Sequence, residues 1–180
     1  MFLEGWKKNT INLECIQGIK MKQLLENWKR YLIEDMYEPK TITFDFDNTI
    51  MMTRPDEDWG QVVDGPNKDV IKIMRHHKQK GDQVIVVTSR MKRNETNQFY
   101  DPDHPAYMPS VAEYLEKYNI DVDQILFTDG DLKAETLERI NSELHFDDDE
   151  EELNAADEKG IKTVQIRNPH YSNDPEKAPK

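Results

Sequence analysis

Two aspartates close the apolar run in TITFDFDNTI: Asp45 and Asp47, with Phe46 between them and Thr49 two residues on. A carboxylate buried without a partner is costly, and two so close push one pKa upward. The pair therefore calls for a metal, a nearby cation or a function. Similar groups recur after other apolar runs. VIVVTSR ends in Thr88, Ser89 and Arg90; Asp129, Asp131 and then Lys133 follow ILFT; Asp147, Asp148 and Asp149 follow LHF. Hard carboxylate oxygens suit Mg2+, which takes one or two carboxylates plus substrate oxygens and water. A hydroxyl and a loop of backbone N–H groups suit phosphate oxygens, and a lysine neutralises both phosphate and carboxylates. One aspartate can attack phosphorus, while a second gives and then takes a proton.

Such residues work together only if a scaffold gathers the ends of the apolar runs. Strands are predicted at 41–46, 84–88, 125–128, 144–146 and 161–166. Helices are predicted at 69–80, 110–118, 132–142 and 150–159, with Ser110 and Glu113 at capping-box spacing and Gly81 and Gly160 as C-terminal stops. Apolar strands alternating with helices imply parallel βαβ units in an α/β, three-layer sandwich. Ligands then gather outside the carboxyl ends of the strands. Upstream, Leu24, Leu25, Trp28, Tyr31, Leu32 and Met36 recur at helical spacing, which predicts an amphipathic helix over 21–37 packed on the domain. Residues 1–40 read as a helical appendage, 41–168 as the main domain and 169–180 as a loosely held tail. No internal repeat is evident.

The composition sets the outer limits. The chain has 180 residues, 36% hydrophobic and 33% charged, which fits one globular domain with a polar surface. No apolar run approaches the roughly 20 residues of a membrane span. The opening MFLEGWKKNT lacks an apolar signal core. The single cysteine, Cys15, reads as a small apolar filler and fits a reducing cytoplasm. A net charge of −12 makes the average surface a poor match for nucleic acid or anionic membrane, although a site can be locally positive.

The four spaced motifs, DFDNT, VIVVTSR, DLKAETL and HFDDDEEEL, resemble those of the haloacid dehalogenase superfamily of phosphotransferases. The resemblance implies a Rossmann-like core, here without a large cap domain, and Mg2+ as cofactor. It implies that Asp45 is the nucleophile that becomes an aspartyl-phosphate. Asp47 is implied as the acid/base, with its backbone carbonyl on the metal, and Lys133 as the lysine that holds the phosphoryl group and the nucleophile. Thr88 is implied as the phosphate-binding hydroxyl, with Ser89, Arg90 and Asn48 as further substrate or phosphate contacts. Asp45, Asp47, Asp147 and Asp148 make up the metal set, and which of Asp147 and Asp148 touches the ion stays open. An aspartate at position 47 favours phosphatase over dehalogenase or pump-type chemistry.

Other residues read as structural. An EF-hand counted from Asp45 fails at Thr49 and Ile50. Residues 149–152 read as a solvated helix N-terminus, His76 and His77 as a surface face, and Asp129 and Asp131 as turn formers. The stretches 50–65 and 90–109 read as loops, too short for a cap domain. An uncovered site admits a large substrate. Arg90, Lys92 and Arg93 set positive charge beside Thr88, and Phe99, Tyr100 and Tyr107 follow as candidate base-stacking groups.

Within the superfamily, the motifs are most similar to the 3′-phosphatase domains of phage polynucleotide kinase-phosphatases. The departures are Asn48 in place of a glycine and the lack of any GxxxxGK[ST] kinase loop. The N-terminal helix resembles segments that open marine-phage proteins, which implies a host cytoplasm. The expected activity is removal of 3′-phosphates from nucleic-acid ends. The alternatives are a 5′-nucleotidase or other small-molecule phosphatase, and a non-catalytic scaffold.

Overall fold

A computed structural model describes residues 22, 23, 25, 26, 37–95 and 101–171. The chain divides into two compact units, Met1–Glu38 and Pro39–Lys180. In the first, Lys22, Gln23, Leu25 and Glu26 are helical and exposed. The remainder of the helix expected over 21–37, with Cys15, Phe99, Tyr100 and positions 172–180, lies outside the described residues.

The second unit runs β1 (Thr41–Phe44), β2 (Met51–Asp56), β3 (Gly60–Pro66), α1 (Lys68–Lys80), β4 (Gln83–Thr88), α2 (Val111–Lys117), β5 (Gln124–Phe127), α3 (Ala134–Arg139), β6 (Leu144–Asp147), α4 (Glu150–Glu158) and β7 (Lys162–Gln165). Single 3-10 turns lie at Lys92–Asn94 and Pro169–Tyr171. Five strands form one parallel sheet in the order β5-β4-β1-β6-β7. Successive side chains on a strand point to opposite faces. Ile42, Phe44, Val84 and Val86 thus meet Val70, Ile71 and Met74 of α1 and Val111, Tyr114 and Leu115 of α2. Ile85 and Val87 meet Leu137 of α3 and Ala156 of α4 on the other face. A sheet covered on both sides favours continuous apolar runs, and Val84, Ile85, Val86 and Val87 supply one.

The chain leaves β1 for β4 and β5, then returns to β6 on the opposite side of β1. The switch in direction leaves a crevice between the carboxyl ends of β1 and β6. Register is firm there. Phe44 pairs with Phe146, their rings stack at 4.6 Å, and the Asp45 N–H donates to the Phe146 carbonyl at 2.8 Å.

Local signals set the helix ends. Ser110 and Glu113 form the expected capping box. Asn67 caps α1, and Gly81 closes it at φ 87°. The helix expected over 132–142 is shorter, Ala134–Arg139, with Leu132 46% exposed in the loop before it.

The stretch 50–65 is the main departure from the sequence reading. It is not a loop but the β2–β3 antiparallel hairpin, paired from Met51↔Pro66 to Asp56↔Gly60 with a bulge at Met52/Thr53. Arg54 and Pro55 hid the strand, since proline lacks a ladder donor and demotes a run. Among the described residues the pair has no third strand to refuse it, and Met51, Met52, Thr53 and Val62 are buried.

Candidate active site

Asp45 follows the last residue of β1 and is 4% exposed. Lys133, 2% exposed, stands just before α3 and turns inward. Its Nζ lies 2.8 Å from Asp45 Oδ1, 2.7 Å from Asp147 Oδ2 and 3.9 Å from Glu152 Oε1. Its backbone N–H donates to Glu152 Oε2 at 2.8 Å. Asp147, at the end of β6, is fully buried, and its Oδ2 also meets His145 Nε2 at 2.9 Å. Its Oδ1 accepts the Asp149 N–H at 3.0 Å. His145 Nδ1 lies 2.9 Å from Thr43 Oγ1, which meets Ser142 Oγ at 2.8 Å. A buried chain thus runs from Ser142 through Thr43, His145, Asp147 and Lys133 to Asp45.

Charge in this crevice is only partly compensated. Burial pushes the Asp45 carboxyl well above the usual carboxylate range; Lys133 opposes the shift and Asp147 adds to it. Burial also opposes the Lys133 ammonium, but Asp45 and Asp147 outweigh it and hold the group above the ordinary lysine value. Asp147 resists the same burial through His145 and Lys133 and stays below the usual range. Asp148 is pushed up to about 6 by burial and by the charge of Asp147, and no salt bridge reaches it among the described residues. Asp45, Asp147 and Asp148 each place one ligand atom within 4.8 Å of the others. Three carboxylates facing one lysine fit a hard divalent cation, because oxygen donors and excess negative charge are what such an ion requires.

The shift at Asp148 gives a pH-dependent expectation. In the folded protein its carboxyl binds a proton up to about pH 6, against about 3.9 when unfolded. Its ionisation therefore destabilises the metal-free protein as pH rises from about 4 to 6. Asp148→Asn removes that cost. Thermal melts in EDTA should show the variant more stable by about 1 kcal/mol at pH 7, after allowing for solvent screening of a half-buried group. The gain should vanish below about pH 4. A gain at pH 4 equal to that at pH 7 would remove the electrostatic explanation.

Asp47 belongs to a separate arrangement. Arg90 holds it in a two-pronged grip, Nε to Oδ2 and Nη2 to Oδ1, both at 2.8 Å. Arg90 Nη1 donates to the Pro109 carbonyl at 2.7 Å and the Glu95 carbonyl at 3.2 Å, and the guanidinium lies 4.7 Å from the Phe46 ring centroid. Thr88 is fully buried at the end of β4, its Oγ1 accepting the Arg90 N–H, while Ser89 is exposed. Asn48 sits at φ 58°, and its side-chain oxygen accepts from Thr53 Oγ1 at 2.6 Å and Asn168 Nδ2 at 2.9 Å. That oxygen anchors the base of the hairpin. Asp129, at φ 55°, accepts the Lys92 N–H, as a turn former does.

Two readings from sequence change. Asp149, Glu150 and Glu151 are exposed at the start of α4 as expected, but Glu152 is 6% exposed and holds Lys133. It shares the inward face of α4 with Leu153 and Ala156, which helical spacing three to four residues apart explains. His76 is exposed, but His77 is half-buried and pairs through Nδ1 with buried Asp82 at 2.6 Å. His145 drew no attention as a sequence feature, although its two-residue offset from Asp147 puts both on one face of β6.

His145 carries a prediction of its own. His145→Leu removes the donor that steadies Asp147, so Mg2+ affinity measured by calorimetry should fall about 10-fold or more. His145→Gln keeps an amide donor and should recover part of the loss. Equal affinity in the leucine variant and the wild type would contradict this.

The parallel sheet, its switch point and the helices on both faces define a Rossmann-like α/β core. No family model matches the chain, and no curated protein matches it. Solved structures do. A chain in a Pnkp1/Rnl/Hen1 complex shares 22% identity and a TM-score of 0.51, over 71% of this chain and 45% of that one. A second, in a Pnkp1/Rnl/Hen1 RNA repair complex, gives 19% identity and a TM-score of 0.51, over 71% and 42%. The UTR4 protein of Saccharomyces cerevisiae matches at 24% identity with a TM-score of 0.37, over 62% and 52%. At these identities the likeness concerns the fold. This chain spans less than half the length of the first two chains it matches. Among the described residues no helix is long and apolar enough to cross a membrane.

Proposed function

We propose that this protein is a Mg2+-dependent phosphomonoesterase acting through an aspartyl-phosphate, with the 3′-phosphorylated end of a nucleic acid as substrate. The observation that carries the reading is Lys133, buried between Asp45 and Asp147, with Asp47 held apart on Arg90. Asp45 attacks phosphorus and forms the acyl-phosphate bond as the P–O bond to the leaving alcohol breaks. Asp47 serves as the general acid that gives a proton to the departing oxygen. In the second half Asp47 takes a proton from water, the hydroxide attacks phosphorus, and inorganic phosphate leaves Asp45 as it began. Lys133 steadies the phosphoryl oxygens and opposes the upward shift of the Asp45 carboxyl. Thr88 and Ser89 stand at the end of β4, where phosphate oxygens would sit. Mg2+ would be held by Asp45, the Asp47 carbonyl and the acidic pair, and supplies charge neutralisation when bound. Of that pair we favour Asp148 as the direct ligand, because both oxygens of Asp147 already have partners.

The choice of a nucleic-acid end rests on the surface beside Thr88. An open depression of about 500 Å3 there is lined by Met91, Lys92, Arg93 and Asp129. Two cations next to a phosphate site favour a phosphodiester chain on a protein whose net charge is −12. The test is phosphate release, with and without Mg2+, from a 3′-phosphorylated oligonucleotide and from a panel of nucleoside monophosphates. Preference for the oligonucleotide, with inhibition rising steeply with salt, supports the reading. Preference for 5′-monophosphates replaces it with a nucleotidase.

A further inference from the structure

A second cavity, of about 410 Å3, is walled in part by Pro109, whose carbonyl is bonded by Arg90. That volume falls within the roughly 300–1,000 Å3 of small-molecule sites. Its walls come from β3, from the loop that ends at Pro109 and from one side of α2, and include Asp64, Tyr107, Pro109, Tyr114, Lys117 and Tyr118. Two contacts tie it to the reaction centre. The Pro109 carbonyl accepts from the same guanidinium that grips Asp47, so one arginine head spans the distance between them. The Tyr114 ring meets the edge of Phe46 at 5.4 Å, and Phe46 separates Asp45 from Asp47. The residue that protonates the leaving oxygen marks the side on which the leaving group lies. The cavity reaches Asp47 through one intermediary, the Arg90 guanidinium bonded to its Pro109 wall.

Its lining indicates the ligand. Tyr107, Tyr114 and Tyr118 provide aromatic surface, Tyr114 and Tyr118 with ring centroids 4.6 Å apart. Lys117 lies over the Tyr118 ring, and the carboxylates of Asp64 and Glu113 outnumber it. Phosphate is disfavoured by that balance, whereas a neutral planar group is not. Tyr114 is 1% exposed, and among the described residues its hydroxyl has no hydrogen-bond partner. A buried hydroxyl without a partner is uncommon, because the desolvation cost goes unrepaid. It stays protonated, since burial holds its pKa far above the usual tyrosine value, and it offers both a donor and an acceptor.

We propose that this cavity takes the nucleobase of the nucleotide whose phosphate is removed, between tyrosine walls and with the Tyr114 hydroxyl as its hydrogen-bond partner. The inference rests on the phosphatase reading for the identity of the leaving group, but it can fail separately. Base and phosphate then occupy different places, with Asp47 and Arg90 between them. A terminal nucleotide of a chain and a free mononucleotide both carry the required base.

Tyr114→Phe and Tyr107→Ala test it. Steady-state kinetics would be run on a 3′-phosphorylated oligonucleotide, a nucleoside 3′-monophosphate and glycerol phosphate, which has no base. Each variant should raise KM about 10-fold for the substrates that carry a base, with kcat and the glycerol phosphate KM within about twofold. Tyr114→Phe should melt at or above the wild-type temperature, since it deletes only an unpartnered hydroxyl. A rise confined to the oligonucleotide, or to the monophosphate, identifies which source of the base the cavity serves. Equal KM changes for all three substrates, or none, would overturn the proposal. A second arm needs no turnover: saturation-transfer NMR with a deoxynucleoside alone. Loss of its signal in Tyr114→Phe supports the cavity even if no phosphate is released, an outcome that would sink the phosphatase reading alone. No signal in wild type, or the same signal in both proteins, overturns it.

Discussion

Asp45→Asn is expected to abolish phosphate release while leaving a folded protein that, without Mg2+, is more stable than wild type. The amide has nearly the shape of the carboxylate but no oxygen able to attack phosphorus. The loss should be at least about 1,000-fold, or about 4 kcal/mol of barrier. Stability should move the other way. Burial raises the Asp45 carboxyl, so the folded state binds its proton more tightly than the unfolded chain does. Stability is therefore highest below the unfolded pKa of about 3.9 and falls as pH rises through the folded value. Asparagine has no charge to bury, and Lys133 keeps Asp147 and Glu152 as partners. Thermal melts in EDTA at pH 7 and pH 4 measure the second effect, and phosphate release measures the first. Residual turnover within about tenfold of wild type would exclude Asp45 as the nucleophile.

Lys133→Met should do the opposite to stability and the same to activity. Lys133 is 2% exposed and reaches Asp45, Asp147 and Glu152. Removing one partner of a buried ion pair costs about 3–5 kcal/mol, because the remaining charge stays buried. Small domains hold only about 5–15 kcal/mol in all. The variant should therefore melt well below wild type in EDTA. A divalent cation binds the folded form alone, so millimolar Mg2+ should raise its melting temperature, more than it raises that of wild type. Phosphate release should stay undetectable even in the Mg2+-stabilised variant. A Lys133→Met protein that melts with wild type in EDTA would mean the carboxylates carry their own protons and the lysine is dispensable.

Much of this site is legible in the sequence because each motif is local. Alternating apolar strands and helices announce parallel units, and in such units the strand ends are where polar groups gather. That pattern sets Asp45, Asp47, Thr88, Ser89, Arg90, Asp129, Asp131, Lys133, Asp147, Asp148 and Asp149 at strand ends, and the motif resemblance assigns roles among them. Ser110, Glu113, Gly81 and Gly160 mark helix ends through contacts a few residues long. The β2–β3 hairpin escapes because Pro55 argues against a strand and only the partner strand overrules it. His145 and Glu152 escape for a related reason. A histidine in a strand and a glutamate in an acidic helix start look ordinary until their neighbours are known.

The sequence by itself thus determined the strands and helices of the parallel core, their order and the chemical groups at their ends. These depend on period and on capping over short spans. Tertiary structure alone decided which groups meet. Pairing β1 with β6 brings Asp45 beside Asp147, about a hundred residues on, and turns Lys133 between them. It sets Arg90 on Asp47, buries Glu152 and leaves the Tyr114 hydroxyl without a partner among the described residues. Strand order and register govern those contacts, and a periodic pattern says which face of an element is buried without saying what will lie against it.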